Sequence, residues 1–369
     1  MSERVTFGIV GGYGATGRSA ASRLLKSGDG NVHLGGRDAA KVNSLAAELG
    51  SRASAASLDI LDSRSLDDFC ERCSIVINCG GPVIVLQDRV AQAALRARCH
   101  YVDAAGMSIV KERILPHEPE ITGSGLSFVI SAGWMPGITE ILPAYAHLQA
   151  RARMDSIESV SVYYGDSGEW SDNALRDGTA YIRRVGLSRS RYFRKGESVL
   201  AKASEASSKV DLGDPIGRRR FGLFSMPEQD GLGRRFADCD FLAYSYVSGF
   251  RNVSAAFAIA ILSLSEKSAI RLLRNVFRRN RLPVGGFVVA HVVGRLSDRL
   301  AALKASIVFE VGQDYWMNGI ALATVARMIS AGESVKAGVN FLSDAVDPFA
   351  LLDALRQQGV RFSETFEFC

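Results

Sequence analysis

Phe7-Gly8-Ile9-Val10-Gly11-Gly12-Tyr13-Gly14-Ala15-Thr16-Gly17-Arg18 runs from a short apolar strand straight into G-x-G-x-x-G, and a helical stretch follows from Ser19 to Ser27. Few patterns constrain a fold as tightly. Gly12 would permit the tight turn, Gly14 would let a pyrophosphate approach the backbone, and Gly17 would let the helix pack on the strand. Unpaired N–H groups at the helix start, including those near Tyr13, Ala15 and Thr16, would then face the phosphates. A glycine-rich turn alone is a weak signal. Its place between a strand and a helix is the context that gives it meaning.

A second strand is expected at Asn31-Val32-His33-Leu34, ending in Gly35-Gly36-Arg37-Asp38, with Lys41 one turn further on. At this strand tip an acid takes a ribose 2′-hydroxyl, whereas an arginine accommodates a 2′-phosphate. Arg37 comes first, which favours NADP(H) over NAD(H); Asp38 reaching the ribose is the alternative, and a solvated loop cation is the bland reading of Arg37. A third strand, Ala53 to Leu58, leads to Asp59 and Ile60, a polar and apolar pair suited to border the adenine. The fourth, Ser74 to Asn78, is apolar throughout, as in a strand buried on both faces of a parallel sheet. It runs into Cys79-Gly80-Gly81-Pro82, a turn that would bring backbone close to the nicotinamide ribose. A helix over Gln87 to Arg98, the strand Cys99 to Val102 with Asp103 at its end, and the strand Ser127 to Ile130 complete the alternation. The expected fold class is α/β, a Rossmann-type doubly wound parallel sheet with ligands beyond the carboxyl ends of its strands.

Three segments together resemble the saccharopine dehydrogenase-like oxidoreductases of the reductase type. They are Gly12 to Arg18, Val76-Ile77-Asn78-Cys79-Gly80-Gly81-Pro82, and His100-Tyr101-Val102-Asp103, with a fourth likeness in Ala321 to Gly338 and Val346 to Phe362. The resemblance implies a dinucleotide-binding domain over residues 1–130, an inserted α+β substrate domain over 131–315, and a carboxyl-terminal segment, 316–369, that returns to the first domain. It also implies an NADP(H) cofactor and places Asp103 at a strand end facing a cleft. Met135-Pro136-Gly137 stands where saccharopine reductases usually show Asp-Pro-Gly, and no arginines can be assigned to grip an amino-dicarboxylic acid. The cofactor carries over; saccharopine as product does not.

The middle region reads as a mixed, largely antiparallel sheet. Ser156 to Tyr164 and Phe241 to Val247 alternate as half-buried strands, and Arg191 to Phe193 with Ser198 to Leu200 flank a turn as in a hairpin. Ala201 to Asp214 reads as a flexible excursion. Hydride transfer leaves the protein mainly to position and polarise the acceptor. Asp103, Glu140 and Tyr244 are the catalytic candidates, and Asp166, Glu169, Tyr181 and Arg251 the candidates for holding substrate. Each has a bland counterpart: Asp103 as a buried acid holding a loop, Glu140 as an acid at a helix start, Asp166 and Glu169 as loop-solvating groups. No tyrosine is followed four residues later by lysine, which argues against tyrosine-catalysed ketone reduction.

With 369 residues there is room for two substantial cores, and 47% hydrophobic with 22% charged residues is ordinary for a globular enzyme. A net charge of +5 gives little support for nucleic-acid binding, and the arginine clusters read as solvated faces. Val253 to Leu264 and Leu282 to Val293 are too short to span a bilayer; the first would suit a buried helix or a homodimer contact. Cys70-Glu71-Arg72-Cys73 lacks a second ligand pair for zinc, so no metal is expected, and Cys79 reads as a small thiol lining the pocket. Six cysteines without framework spacing, and no leader-like start, point to the cytoplasm. The expectation is an NADPH-dependent reductase of a small molecule carrying a C=N bond. Reduction of an activated C=C bond in a lipid or polyketide-like intermediate, or a non-catalytic NADP(H) sensor or partner protein, are the alternatives.

Overall fold

The computed structural model describes residues 4–167, 170–185, 191–202, 204–246, 265–277 and 282–369. The chain divides into two units, one built from the residues up to Ile138 together with Tyr315–Gly359, the other from Thr139–Asp314 together with Val360–Cys369.

In the first unit, β1 (Thr6–Val10), α1 (Ala15–Ser27), β2 (Asn31–Gly36), α2 (Ala39–Leu49), β3 (Ala53–Ser57), α3 (Ser63–Cys70) and β4 (Ile75–Asn78) alternate. Then come α4 (Val83–Leu86), α5 (Arg89–Arg96), β5 (His100–Asp103), α6 (Met107–Ile114), α7 (Glu118–Gly123) and β6 (Ser127–Ile130). The strands pair in the order β6-β5-β4-β1-β2-β3, all parallel. This is the doubly wound Rossmann arrangement expected from the sequence. The chain moves outward from β1 to β3, then returns to place β4 on the other side of β1, so the ligand crevice opens between the ends of β1 and β4. β4, β5 and β6 are almost wholly buried because helices cover the sheet, and Tyr101, Phe128, Leu66 and Val110 share one core.

Local chemistry sets the helix ends. The Asp62 carboxylate accepts from the backbone N–H groups of Arg64 and Ser65 at 3.1 and 3.5 Å and so starts α3, a cap worth about 1 kcal/mol. Gly28 ends α1 in the left-handed region at φ 83°.

Carboxyl-terminal residues extend this unit. They follow the inserted unit, whose helices are α8 (Ile138–Arg151), α9 (Asp172–Val185), α10 (Glu228–Arg235) and α11 (Glu266–Phe277). The returning elements are α12 (Asp314–Ser330), β15 (Gly338–Phe341), α13 (Leu342–Ala345) and α14 (Pro348–Gln357), and β15 adds a seventh parallel strand beside β6. α12 approaches α1 closely. A Cβ on Gly319 would stand 2.4 Å from Ser19 Cβ, and Ser19 Oγ donates to the Trp316 carbonyl at 2.9 Å.

The second unit carries a mixed sheet of nine strands among the described residues. Its strands are β7 (Ser156–Asp166), β8 (Arg191–Arg194), β9 (Glu197–Leu200), β10 (Ser207–Asp211), β11 (Arg218–Leu223), β12 (Asp240–Tyr246), β13 (Gly286–Leu296), β14 (Arg299–Phe309) and β16 (Phe362–Phe368). The path is β10-β11-β12-β7-β13-β14-β16, with β8 and β9 branching from β12; only β7 and β12 pair in parallel. The expected hairpin forms as β8 and β9, turning through Lys195 at φ 49° and Gly196 at φ 84°.

Two expectations need correction. Ala201 to Asp214 is not a bare excursion, because Ser207–Asp211 pairs with the arginine-rich β11. The carboxyl-terminal segment does not return entirely to the first unit either. Its last strand, β16, pairs antiparallel with β14 through Phe366 opposite Leu303, because Phe362, Phe366 and Phe368 alternate with polar residues and complete the open edge of that sheet. No helix among the described residues is long and apolar enough to cross a membrane. The stretch Val253 to Leu264 lies outside the described residues.

Candidate functional site

The turn after β1 is shaped by four glycines. Gly11, which the motif count passes over, carries the positive φ of 76°, and a Cβ there would stand 3.1 Å from the Cys79 carbonyl and the Gly80 nitrogen. Both its N–H and that of Gly12 donate to the Gly35 carbonyl, at 3.0 and 2.9 Å. The tight turn expected of Gly12 therefore belongs to Gly11; Gly12 is instead pressed against Leu34, whose Cδ2 would be 3.0 Å from a Cβ. Gly17 has the least room: a Cβ would meet the Gly11 carbonyl oxygen at 2.5 Å and Gly12 Cα at 2.8 Å. Helix α1 thus rests directly on the loop backbone.

That helix begins at Ala15 with no side-chain cap on Gly14 and no acid in its first turn. The opening amides of Ala15, Thr16 and Gly17 precede any intrahelical acceptor, so the positive end of the helix is left for an anion. The glycine cradle and this bare helix start fit a dinucleotide pyrophosphate.

Around the tip of β2 lies a hollow of about 330 Å³ lined by Tyr13, Arg18, Ala40, Lys41 and Ser44. Gly36 makes room for one wall, since a Cβ there would stand 2.4 Å from the Tyr13 ring. Lys41 Nζ sits 5.8 Å from that ring centre, and Arg18 is paired with Glu48 at 2.9 Å. Asp38 is committed elsewhere. One carboxylate oxygen accepts from the Lys41 backbone N–H at 3.1 Å, capping α2, and the other lies 3.2 Å from Lys41 Nζ. These contacts hold its carboxyl below the usual range. Arg37 is exposed, and its side chain makes no ion pair or hydrogen bond among the described residues. A free cation and an occupied acid suit a 2′-phosphate better than a 2′-hydroxyl.

The loops from β3 and β4 meet beyond their strands. Asp59 is exposed and its side chain accepts from the Leu61 N–H at 3.0 Å, while Ile60 Cδ1 lies 2.9 Å from where a Gly80 Cβ would be. Asn78 holds the β4 turn: its Oδ1 accepts from the Gly80 N–H at 2.9 Å and its Nδ2 donates to Tyr101 Oη at 3.2 Å. Cys79 is half-buried, and its N–H donates to the Val10 carbonyl at 2.9 Å. Burial, with the Asp103 charge nearby, pushes its thiol up to about 12, so it stays protonated and lines the turn as a neutral group. Gly81 is half-buried, and Pro82 is buried at the start of α4.

Asp103 is 1% exposed at the end of β5. Its Oδ1 accepts from the N–H groups of Gly106 at 2.5 Å and Ser131 at 2.9 Å, tying the β5 loop to the end of β6. Burial raises its carboxyl to about 6 despite those donors. In this position Asp103 is a latch between loops, turned away from open space.

Comparisons with known proteins agree with this geometry. Residues 7–129 match the model of the saccharopine dehydrogenase NADP binding domain. The first unit is therefore similar to the coenzyme-binding domain of saccharopine dehydrogenase-like oxidoreductases. Among solved structures, an apo saccharopine dehydrogenase (L-Glu forming) from Saccharomyces cerevisiae superposes with a TM-score of 0.71 at 14% identity, covering 98% of this chain and 100% of that one. A probable dehydrogenase from Thermotoga maritima superposes at 0.52 with 9% identity, covering 98% of each chain. At these identities the likeness is one of fold. No curated protein matches the chain significantly. NADP(H) is the cofactor of the matched domain family.

The remaining candidates lie in the second unit. Glu140 is 1% exposed in the first turn of α8, where Thr139 Oγ1 donates to its Oε1 at 2.8 Å. Asp166 is buried at the end of β7 and accepts from Trp170 Nε1 at 3.1 and 3.2 Å, so it holds the following loop. Tyr181 is half-buried, its hydroxyl 3.5 Å from the Ser225 carbonyl. Tyr244 is buried and stacks on Tyr163 with ring centres 5.1 Å apart. Burial pushes its hydroxyl up to about 12, which suits a core ring better than a proton donor. Glu169 and Arg251 lie outside the described residues.

Cys70 and Cys73 are packing groups. Burial pushes the Cys70 thiol up to about 12, and a Cβ on Gly8 would stand 2.3 Å from Cys73 Sγ. Gly11, Gly36, Arg18 and Ser44 went unnoticed as site residues. The paired glycines at the ends of β1 and β2 were the available signal for two of them.

Proposed function

We propose that this oxidoreductase uses NADPH to reduce a small molecule at a C=N bond. The observation that carries the coenzyme choice is the double engagement of Asp38 with Lys41, beside which Arg37 at the tip of β2 makes no ion pair or hydrogen bond among the described residues. In this reading Ala15, Thr16 and Gly17 hold the pyrophosphate, Arg37 and Lys41 take the 2′-phosphate, and Tyr13 borders the adenosine hollow. The turn of Cys79, Gly80, Gly81 and Pro82, held by Asn78, lies beside the nicotinamide ribose, and Asp59 and Ile60 border the adenine. Bound NADPH supplies the hydride.

The C=N preference rests on proton supply. The chain has no Tyr-x-x-x-Lys pair, and burial raises the hydroxyls of Tyr101, Tyr163, Tyr164 and Tyr244 away from neutrality. A preformed iminium accepts hydride without a proton from the protein, whereas a ketone needs one. The test is NADPH oxidation, followed by nicotinamide absorbance, across panels of amine and carbonyl pairs, enones and ketones. Turnover confined to the amine and carbonyl pairs is expected. Turnover of enones alone would transfer the reading to C=C reduction, and tight NADPH binding without turnover on any panel would make the chain a sensor.

A further inference from the structure

His147, Asp238 and Cys239 bring an imidazole nitrogen, a carboxylate oxygen and a thiol sulfur to within 4.8 Å of one another, far in sequence from Cys70 and Cys73. His147 projects from α8, and the other two form the turn that enters β12. We infer that these three side chains form a binding site for one divalent transition-metal ion of the zinc class, with water as the fourth ligand.

Two features separate this cluster from a chance meeting of polar groups. The first is His147 itself. It is 5% exposed, and its Nε2 is buried without a hydrogen bond; the nearest acceptor, Asp238 Oδ1, stands 3.5 Å away. A buried imidazole nitrogen left unsatisfied costs about 1–3 kcal/mol, which a metal bond would recover. The second is how the ligands are held. The Phe236 ring packs 4.1 Å from the His147 ring and fixes its plane. Arg151 lies 3.9 Å from Asp238 Oδ2, leaving Oδ1 toward His147. The Cys239 carbonyl accepts from the Lys195 N–H at 3.0 Å, anchoring the turn. Supporting contacts of this kind orient ligands in metal sites.

The donor set selects the ion. One nitrogen, one sulfur and one carboxylate oxygen suit Zn²⁺ in tetrahedral geometry and disfavour Mg²⁺ and Ca²⁺, which take oxygen donors. Zinc bonds of about 2.0–2.3 Å require the three atoms to draw together by roughly 1 Å. Asp238 can supply most of that movement, since 49% of its side chain is exposed. As the metal–sulfur bond forms, the Cys239 thiol gives up its proton to solvent. The ion would then brace α8 against the start of β12 inside the second unit, independently of the coenzyme.

Co²⁺ titration of the full-length, metal-stripped and reduced protein tests the site by absorption. One equivalent should give intense tetrahedral d–d bands and a thiolate-to-cobalt band. Cys239→Ser should remove the thiolate band. Asp238→Asn, an exposed change that leaves the core intact, should weaken Co²⁺ and Zn²⁺ binding at least ~10-fold. Zn²⁺ should raise the Tm of the wild type by several degrees and leave folded His147→Gln unchanged. A thiolate band that persists in Cys239→Ser, only weak octahedral spectra, or equal zinc stabilisation in Asp238→Asn would overturn the site. NADPH oxidation plays no part in these readouts.

Discussion

Asp38 grips Lys41 twice, by its backbone N–H at 3.1 Å and its ammonium at 3.2 Å, and the proposed coenzyme choice rests on this engagement of the acid. Arg37→Ser removes the neighbouring cation, which has no partner of its own among the described residues. Charge-assisted contacts to a phosphate are worth about 1.5–3 kcal/mol, so NADPH should weaken about 10- to 100-fold while NADH changes little. Calorimetric titration of both coenzymes reads the ratio, and equal loss for the two would remove Arg37 from the 2′-phosphate.

Asp38→Asn makes the complementary case. Asparagine caps a helix as well as aspartate, so stability should hold, and the NADPH to NADH preference should stay within about threefold. Asp38→Ala should cost about 1 kcal/mol in urea unfolding through the lost cap. A large gain in NADPH preference from Asp38→Asn would mean that the carboxylate does act on the ribose.

Gly17→Ala should harm the coenzyme loop, whereas Gly28→Ala should not. Its new methyl would meet immovable backbone, the Gly11 oxygen at 2.5 Å and Gly12 Cα at 2.8 Å. Overpacking of this kind costs about 1–3 kcal/mol, and displacing the start of α1 should weaken NADPH at least ~10-fold. Gly28→Ala is the control. There the space is open and only the φ of 83° is strained, so stability should fall by about 1–2 kcal/mol with coenzyme affinity intact. Equal affinity in both variants would break the link between loop packing and binding.

What was readable in the sequence was local and periodic. Val10 to Gly17 and Ile75 to Pro82 announced a strand, a glycine turn and a helix because those elements leave their signature within a dozen residues. Gly11 escaped because a motif counts spacing, while the positive φ depends on the approach of Cys79 and Gly80 from another strand. Phe362 to Phe368 alternated visibly, yet nothing nearby in the chain said that β14 would be its partner. His147, Asp238 and Cys239 are the extreme case, since α8 and the turn into β12 are brought together only by the tertiary fold.

Tyr244→Phe tests whether the buried phenol takes part in proton transfer. The ring stacks on Tyr163 at an interplanar angle of 8°, and its hydroxyl is pushed up to about 12. Phenylalanine keeps the stacking face, so turnover should stay within about threefold and its pH profile should not change shape. A loss of 10²-fold or more, the size expected for a general acid, in a variant with unchanged Tm would restore Tyr244 to the chemistry.

Asp103 gives the molecule a pH dependence whose sign follows from its burial. Its carboxyl titrates at about 6 in the folded chain, against roughly 3.9 when unfolded. The folded state therefore favours the protonated form. That contribution, about 3 kcal/mol, is fully present below about pH 4 and is lost as the pH rises through about 6. Asp103→Asn offers Gly106 and Ser131 an acceptor oxygen but carries no charge at any pH, so it should escape this loss. Urea unfolding of both proteins should show the wild type losing about 3 kcal/mol relative to Asp103→Asn between about pH 4 and pH 7. Every other group titrates alike in the two, so the difference isolates this carboxyl. Parallel stability curves would mean that Asp103 is charged in the fold and that its two backbone donors outweigh the cost of burial. Asp103→Ala, which leaves both amides without their acceptor, should lose about 2–6 kcal/mol at low pH.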